Sequence, residues 1–122
     1  RIRGPFNTTA AAQAAGIEAI RDQAHVAKAV AHNDQWMRWL EQQLDGLRID
    51  ITPSVGNFIL MHFADAEMAA KANQHLLSRG IILRAAPAPG LQHSLRLTIG
   101  LEEENRKVVE ALSDFMAEFI GK

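Results

Sequence analysis

The stretch Ser94-Leu95-Arg96-Leu97-Thr98-Ile99-Gly100 constrains the chain most. It alternates in strand fashion and sets one arginine in an otherwise apolar run. A period of two puts successive side chains on opposite faces of a sheet, so the fold contains a sheet with something packed against it. An arginine embedded there needs a carboxylate, a phosphate or water at its head. Arg96 is therefore either a fork that grips an anion bidentately or an edge-strand arginine lying on the surface.

The chain before it reads as alternating helices and strands. Pro5 and Gly4 favour an extended opening, and Asn7, Thr8 and Thr9 are competent N-caps for the alanine-rich helix from Ala10 to Ile20. Gly16 in the middle of that helix is expected at a point of close packing. Asp22 can cap a second, longer helix, in which Val26, Val30, Met37, Leu40 and Leu44 share one face, flanked by Trp36 and Trp39. Gly46 is expected to end it in the left-handed conformation. Leu47 to Thr52 alternates as a short strand, Pro53 to Asn57 is turn chemistry, and Phe58 to Phe63 is the candidate central strand. Asp65 caps a helix through Arg79 with Met68, Ala72, Leu76 and Leu77 as its apolar side, and Gly80 stops it. Ile81 to Leu83 reads as a third strand ending at Arg84, and Ala85 to Gly90 as a loop. The last helix opens on Glu102, Glu103 and Glu104, which suit the positive end of its dipole, and carries an apolar stripe to Phe119 and Ile120. The expected fold is α+β: a two-layer small domain at 47–122, with a three- to four-stranded, mostly antiparallel sheet and helices on one face, preceded by long linking helices at 1–46.

Composition narrows the function by exclusion. The 122 residues carry a net charge of -1 and no basic block, so no nucleic-acid surface is expected. There is no cysteine, hence no disulfide, thiolate nucleophile or thiolate metal site. No apolar run approaches the roughly 20 residues of a membrane span, and no signal peptide is visible. His25, His32, His62, His75 and His93 form no metal-binding pair at helical spacing. Lys28, Lys71, Lys107 and Lys122 stand in no Ser-x-x-Lys setting, and no glycine loop cradles phosphate. The acidic run from Glu102 reads as a solvated first helical turn. Arg84, at a strand end, can converge with Arg96 on one anion or simply be solvated. Asn57 is a turn residue or an amide aimed into a cleft.

Four segments together resemble one family. Arg1-Ile2-Arg3-Gly4-Pro5-Phe6-Asn7-Thr8 with the helix around Gln13 resembles the segment after the cofactor lysine in histidinol-phosphate aminotransferases. Gly56-Asn57-Phe58-Ile59-Leu60 and Gly80-Ile81-Ile82-Leu83-Arg84 resemble two of its strands. Leu95-Arg96-Leu97-Thr98-Ile99-Gly100, followed after one residue by Glu102-Glu103-Glu104-Asn105-Arg106, resembles its closing motif. The resemblance covers essentially the whole chain, in the family's order, and identifies it with the C-terminal part of a class I/II aminotransferase of the aspartate aminotransferase fold.

The resemblance implies a cytoplasmic, homodimeric enzyme of histidine biosynthesis with pyridoxal 5'-phosphate as cofactor. It would move an amino group between glutamate/2-oxoglutarate and imidazole-acetol phosphate/histidinol phosphate. Arg96, Arg84 and Asn57 would bind substrate, with the two arginines on its anion. The cofactor lysine and phosphate-binding residues lie upstream in the family, so the chain alone is expected to be inactive, and it reads as a segment of something longer. Where many members carry Gly-Tyr-Gly, this loop reads Ala85-Ala86-Pro87-Ala88-Pro89-Gly90. A threonine-phosphate decarboxylase, an aromatic aminotransferase, or a non-catalytic module binding an anion or a partner are the alternative readings.

Overall fold

The computed structural model describes residues 7–86 and 88–120, apart from the side chains of 119 and 120. Most of the expected extended opening, and the expected inward Phe119 and Ile120, fall outside the described residues. The elements are α1 (Ala10–Arg21), α2 (Gln23–Gly46), β1 (Asp50–Thr52), β2 (Phe58–His62), α3 (Ala66–Ser78), β3 (Arg84–Ala85), β4 (Ser94–Thr98) and α4 (Glu102–Ile120). The chain divides between His32 and Asn33 into two compact units.

The first unit holds α1 and the start of α2. Thr9 is the N-cap of α1, its hydroxyl accepting from the Ala12 N–H at 3.1 Å. Asp22 ends α1 through its own N–H on the Glu18 carbonyl, and its carboxylate then caps α2 by accepting from the His25 N–H at 3.0 Å. Helix α1 buries none of its residues, and a Cβ added at Gly16 meets nothing within 4 Å. The close packing expected at Gly16 is therefore absent among the described residues. Val26 and Val30 are also exposed, so the expected apolar face of α2 begins only at Met37. Sequence periodicity sets a face, but what that face meets lies outside the helix itself.

The second unit is the α+β domain. Its four strands run β1-β2-β4-β3, every neighbouring pair antiparallel. Leu60 opposes Arg96, and Arg96 opposes Arg84 on its other side. Ile59, Met61, Leu95 and Leu97 form the buried face of the two inner strands. They share one core with Met37, Leu40 and Leu44 of α2, Ala72 and Leu76 of α3, and Leu112 and Phe115 of α4. The intervening strand positions, among them Phe58, Leu60, His62, Arg96 and Thr98, are exposed or half-buried. That second face supplies the functional candidates.

The end of α2 differs from the sequence expectation, while α3 ends at Gly80 as expected but takes up the start of the strand that should follow. Helix α2 closes in a Schellman arrangement whose left-handed residue is Arg48 (φ 57°), not Gly46. The Arg48 N–H donates to the Asp45 carbonyl at 2.9 Å and the Ile49 N–H to the Leu44 carbonyl at 3.0 Å. The extra turn brings Ile49 into the core and delays β1 to Asp50. Helix α3 stops the same way at Gly80 (φ 75°): the Gly80 N–H donates to Leu77 and the Ile81 N–H to Leu76, both at 3.0 Å. Ile81 thus spends its donor on the helix end. The strand expected at Ile81 to Leu83 is absent, and pairing begins only at Arg84.

Candidate functional site

The site grows from β4. That strand is interior, flanked by β2 and β3, so Arg96 is not an edge-strand arginine. Strand alternation sends Leu95 and Leu97 to the core and leaves Arg96 half-buried on the other face. Its Nε is buried and has no hydrogen-bond partner among the described residues. The guanidinium carbon lies over the Phe58 ring, 5.1 Å from its centroid. Arg84 stands directly opposite Arg96 in the β3–β4 register and is exposed. Like charges opposite each other on adjacent strands repel, and an anion between them turns that cost into a gain. Among the described residues neither arginine is paired with a carboxylate.

Both arginines line one groove of about 730 Å³, bounded also by Arg79, Thr98, Glu104 and Lys107. Its cationic side chains outnumber its acid, which gives it the sign for an anionic ligand. Arg79 is partly spent elsewhere, donating to Asp114 at 2.9 Å.

The groove's end is held by residues the sequence reading treated as solvated. Asn105 is only 1% exposed. Its Oδ1 accepts from the Gly100 N–H and its Nδ2 donates to the Gly100 carbonyl, both at 2.9 Å. Glu104 accepts from the Leu101 N–H at 2.7 Å, capping α4. Arg106 bonds Glu102 at 2.9 Å and lies over Trp36 and Trp39, 5.5 and 5.1 Å from their ring centroids. Glu102, Glu103 and Glu104 are exposed, as a solvated first turn requires, while Asn105 and Arg106 build a junction between the end of β4, α4 and α2. The available signal was the spacing of Asn105, Val108 and Leu112, which puts Asn105 on the buried stripe.

Asn57 sits at the start of β2, exposed, its carbonyl accepting from the Ile99 N–H at 2.9 Å. It does not line the groove that Arg84 and Arg96 share. His62 is half-buried, its Nδ1 2.8 Å from the Ser94 hydroxyl and its Nε2 2.7 Å from that of Thr52. Among the described residues no group of His, Asp and Glu could hold a metal ion, and no helix is long and apolar enough to cross a membrane.

The family model for aminotransferases of class I and II matches residues 1–112. The histidinol-phosphate aminotransferase of Rhodopseudomonas palustris (strain BisB18) is 52% identical over 120 residues, covering 97% of this chain and 33% of that protein. The enzyme of the same name from Maricaulis maris (strain MCS10) is 48% identical over 118 residues, covering 95% of this chain and 33% of that protein. The chain therefore spans about a third of the length of these relatives. Among solved structures, histidinol-phosphate aminotransferase from Sinorhizobium meliloti in complex with pyridoxal-5'-phosphate superposes with a TM-score of 0.86. That match is 21% identical and covers 97% of this chain and 33% of that one, so it speaks for the fold. With a family match over nearly its whole length and the fold to go with it, the chain belongs to the class I and II aminotransferases.

Proposed function

We propose that this chain is the substrate-anion-binding part of a histidinol-phosphate aminotransferase. The whole protein would pass an amino group between glutamate/2-oxoglutarate and histidinol phosphate/imidazole-acetol phosphate, as a homodimer in the cytoplasm. One observation carries the reading. Arg84 and Arg96 are register partners lining one groove, neither is paired with an acid among the described residues, and the buried Arg96 Nε has no partner there. Carboxylate and phosphate both present paired oxygens, so one guanidinium fork serves either substrate of the exchange. Asn57 belongs to the same reading as a polar group at the start of the neighbouring strand.

The described residues fit the anionic substrate rather than the attachment of a cofactor. Lys71 is paired with Glu67 at 2.6 Å, Lys28 is exposed on α2, and Lys107 stands on α4 beside the groove. As the family resemblance implies, the residues that hold pyridoxal phosphate would lie outside this segment, and this chain by itself is expected to be inactive. When bound, that cofactor carries the amino group between the two substrates. This chain's share is to bind and orient the anionic end of each substrate.

The test is amino transfer by the full-length protein to 2-oxoglutarate from a panel of histidinol phosphate, phosphothreonine and aromatic amino acids. The expected result is a kcat/KM for histidinol phosphate at least tenfold above every other donor. Preference for an aromatic amino acid, or carbon dioxide release from phosphothreonine, would replace the reading with a sibling activity. No transfer from any donor would leave a binding module.

A further inference from the structure

Phe58 opens β2 and pairs in register with Thr98, two residues along β4 from Arg96. That diagonal is within reach of an aromatic side chain on the same sheet face. The Arg96 guanidinium carbon lies over the Phe58 ring at 5.1 Å from its centroid. Yet Phe58 is 37% exposed, so core packing does not account for its place. The turn before it is built around the ring. A Cβ on Gly56 would stand 3.2 Å from Phe58 Cε1 and 3.5 Å from Cδ1, tighter than ordinary contact at the nearer atom. The Gly56 backbone is itself held on both sides: its N–H donates to the Ser54 hydroxyl and its carbonyl accepts from the Asn33 amide, each at 3.1 Å.

We infer that Phe58 is a positioning residue for the anion fork, and that Gly56 supplies the clearance its ring requires. An acid partner would also fix Arg96, but it would consume the N–H donors that the substrate needs. An aromatic face attracts the cation through the ring quadrupole and leaves the guanidinium edge free. The inference rests on the reading of Arg96 as the substrate-anion fork.

Phe58→Leu in the full-length enzyme keeps apolar bulk and removes the π face. The expected effect is a rise of about fivefold in KM for histidinol phosphate and glutamate, the scale of one cation–π contact, with kcat changed less than twofold. Phe58→Tyr, which keeps the π face, restores the lower KM. In an Arg96→Ala background, Phe58→Leu adds no further rise. Phe58 is partly exposed, and an unchanged thermal midpoint for Phe58→Leu separates positioning from folding. If Arg96→Ala raises KM and Phe58→Leu leaves it unchanged, the positioning role is wrong while the fork stands. If Arg96→Ala itself leaves KM unchanged, the fork reading fails and this inference with it.

Discussion

A single buried amide shows how the site is held at the residue scale. Asn105 fills both hydrogen-bonding directions of its side chain on Gly100, two residues beyond the end of β4. An added Cβ at Gly100 would lie 2.7 Å from Glu104 Oε2 and 3.1 Å from Glu104 Cβ, so a larger residue there would displace the Glu104 side chain that caps α4. Asn105→Ala removes two bonds from a buried position. The expected loss is about 2–3 kcal/mol of unfolding free energy, read as a lower urea midpoint with unchanged slope. Asn105→Asp keeps an acceptor for the Gly100 N–H but loses the donor to its carbonyl, and should fall at least as far once its buried charge is counted. The sequence exposed Arg96 as an anomaly because a cation interrupts an apolar alternation. It hid Asn105 because a polar residue beside three glutamates reads as solvent-facing until the stripe through Val108 and Leu112 is extended back to it. Phe58 was hidden differently: inside the continuous run Phe58 to Phe63, nothing tells a ring on the core face from a ring on the arginine face.

Among the elements, the antiparallel sheet and all four helices were legible, because apolar periodicity and caps are local. Asp65 illustrates this: its carboxylate accepts from the Met68 N–H at 2.8 Å and starts α3 where the sequence places it. The ends were less legible. Gly46 looked like the stop of α2, but the helix continues through it and turns at Arg48, because that register delivers Ile49 to the core. A left-handed arginine pays a steric cost that glycine does not. Arg48→Gly should therefore raise stability by about 0.5–1 kcal/mol, the steric relief less the added chain entropy of glycine. A thermal midpoint that falls would mean the Arg48 side chain contributes more than its backbone costs. Ile81 to Leu83 failed as a strand for a related reason. The hydrogen bond that would open a ladder at Ile81 is already made to Leu76, and tertiary pairing with β4 waits until Arg84.

Across the whole molecule, the α+β unit from Asn33 onward carries its own core, while α1 buries nothing among the described residues. This contrast is invisible to periodicity: Val26 and Val30 lie on the helical face of Met37, Leu40 and Leu44, yet only the latter three are covered. What the second unit presents is a four-stranded sheet with helices on one face and two opposed arginines on the other. We propose that this pair, and Arg96 above all, binds the substrate anion of an aminotransferase. The most direct measurement is the KM for histidinol phosphate of the full-length Arg96→Ala variant against the parent enzyme, with cofactor absorbance recorded in both. A lost charge-assisted fork, about 1.5–3 kcal/mol, predicts a KM higher by roughly 10- to 150-fold with the cofactor band intact. An unchanged KM, or a loss of the cofactor band in place of a KM effect, would contradict it.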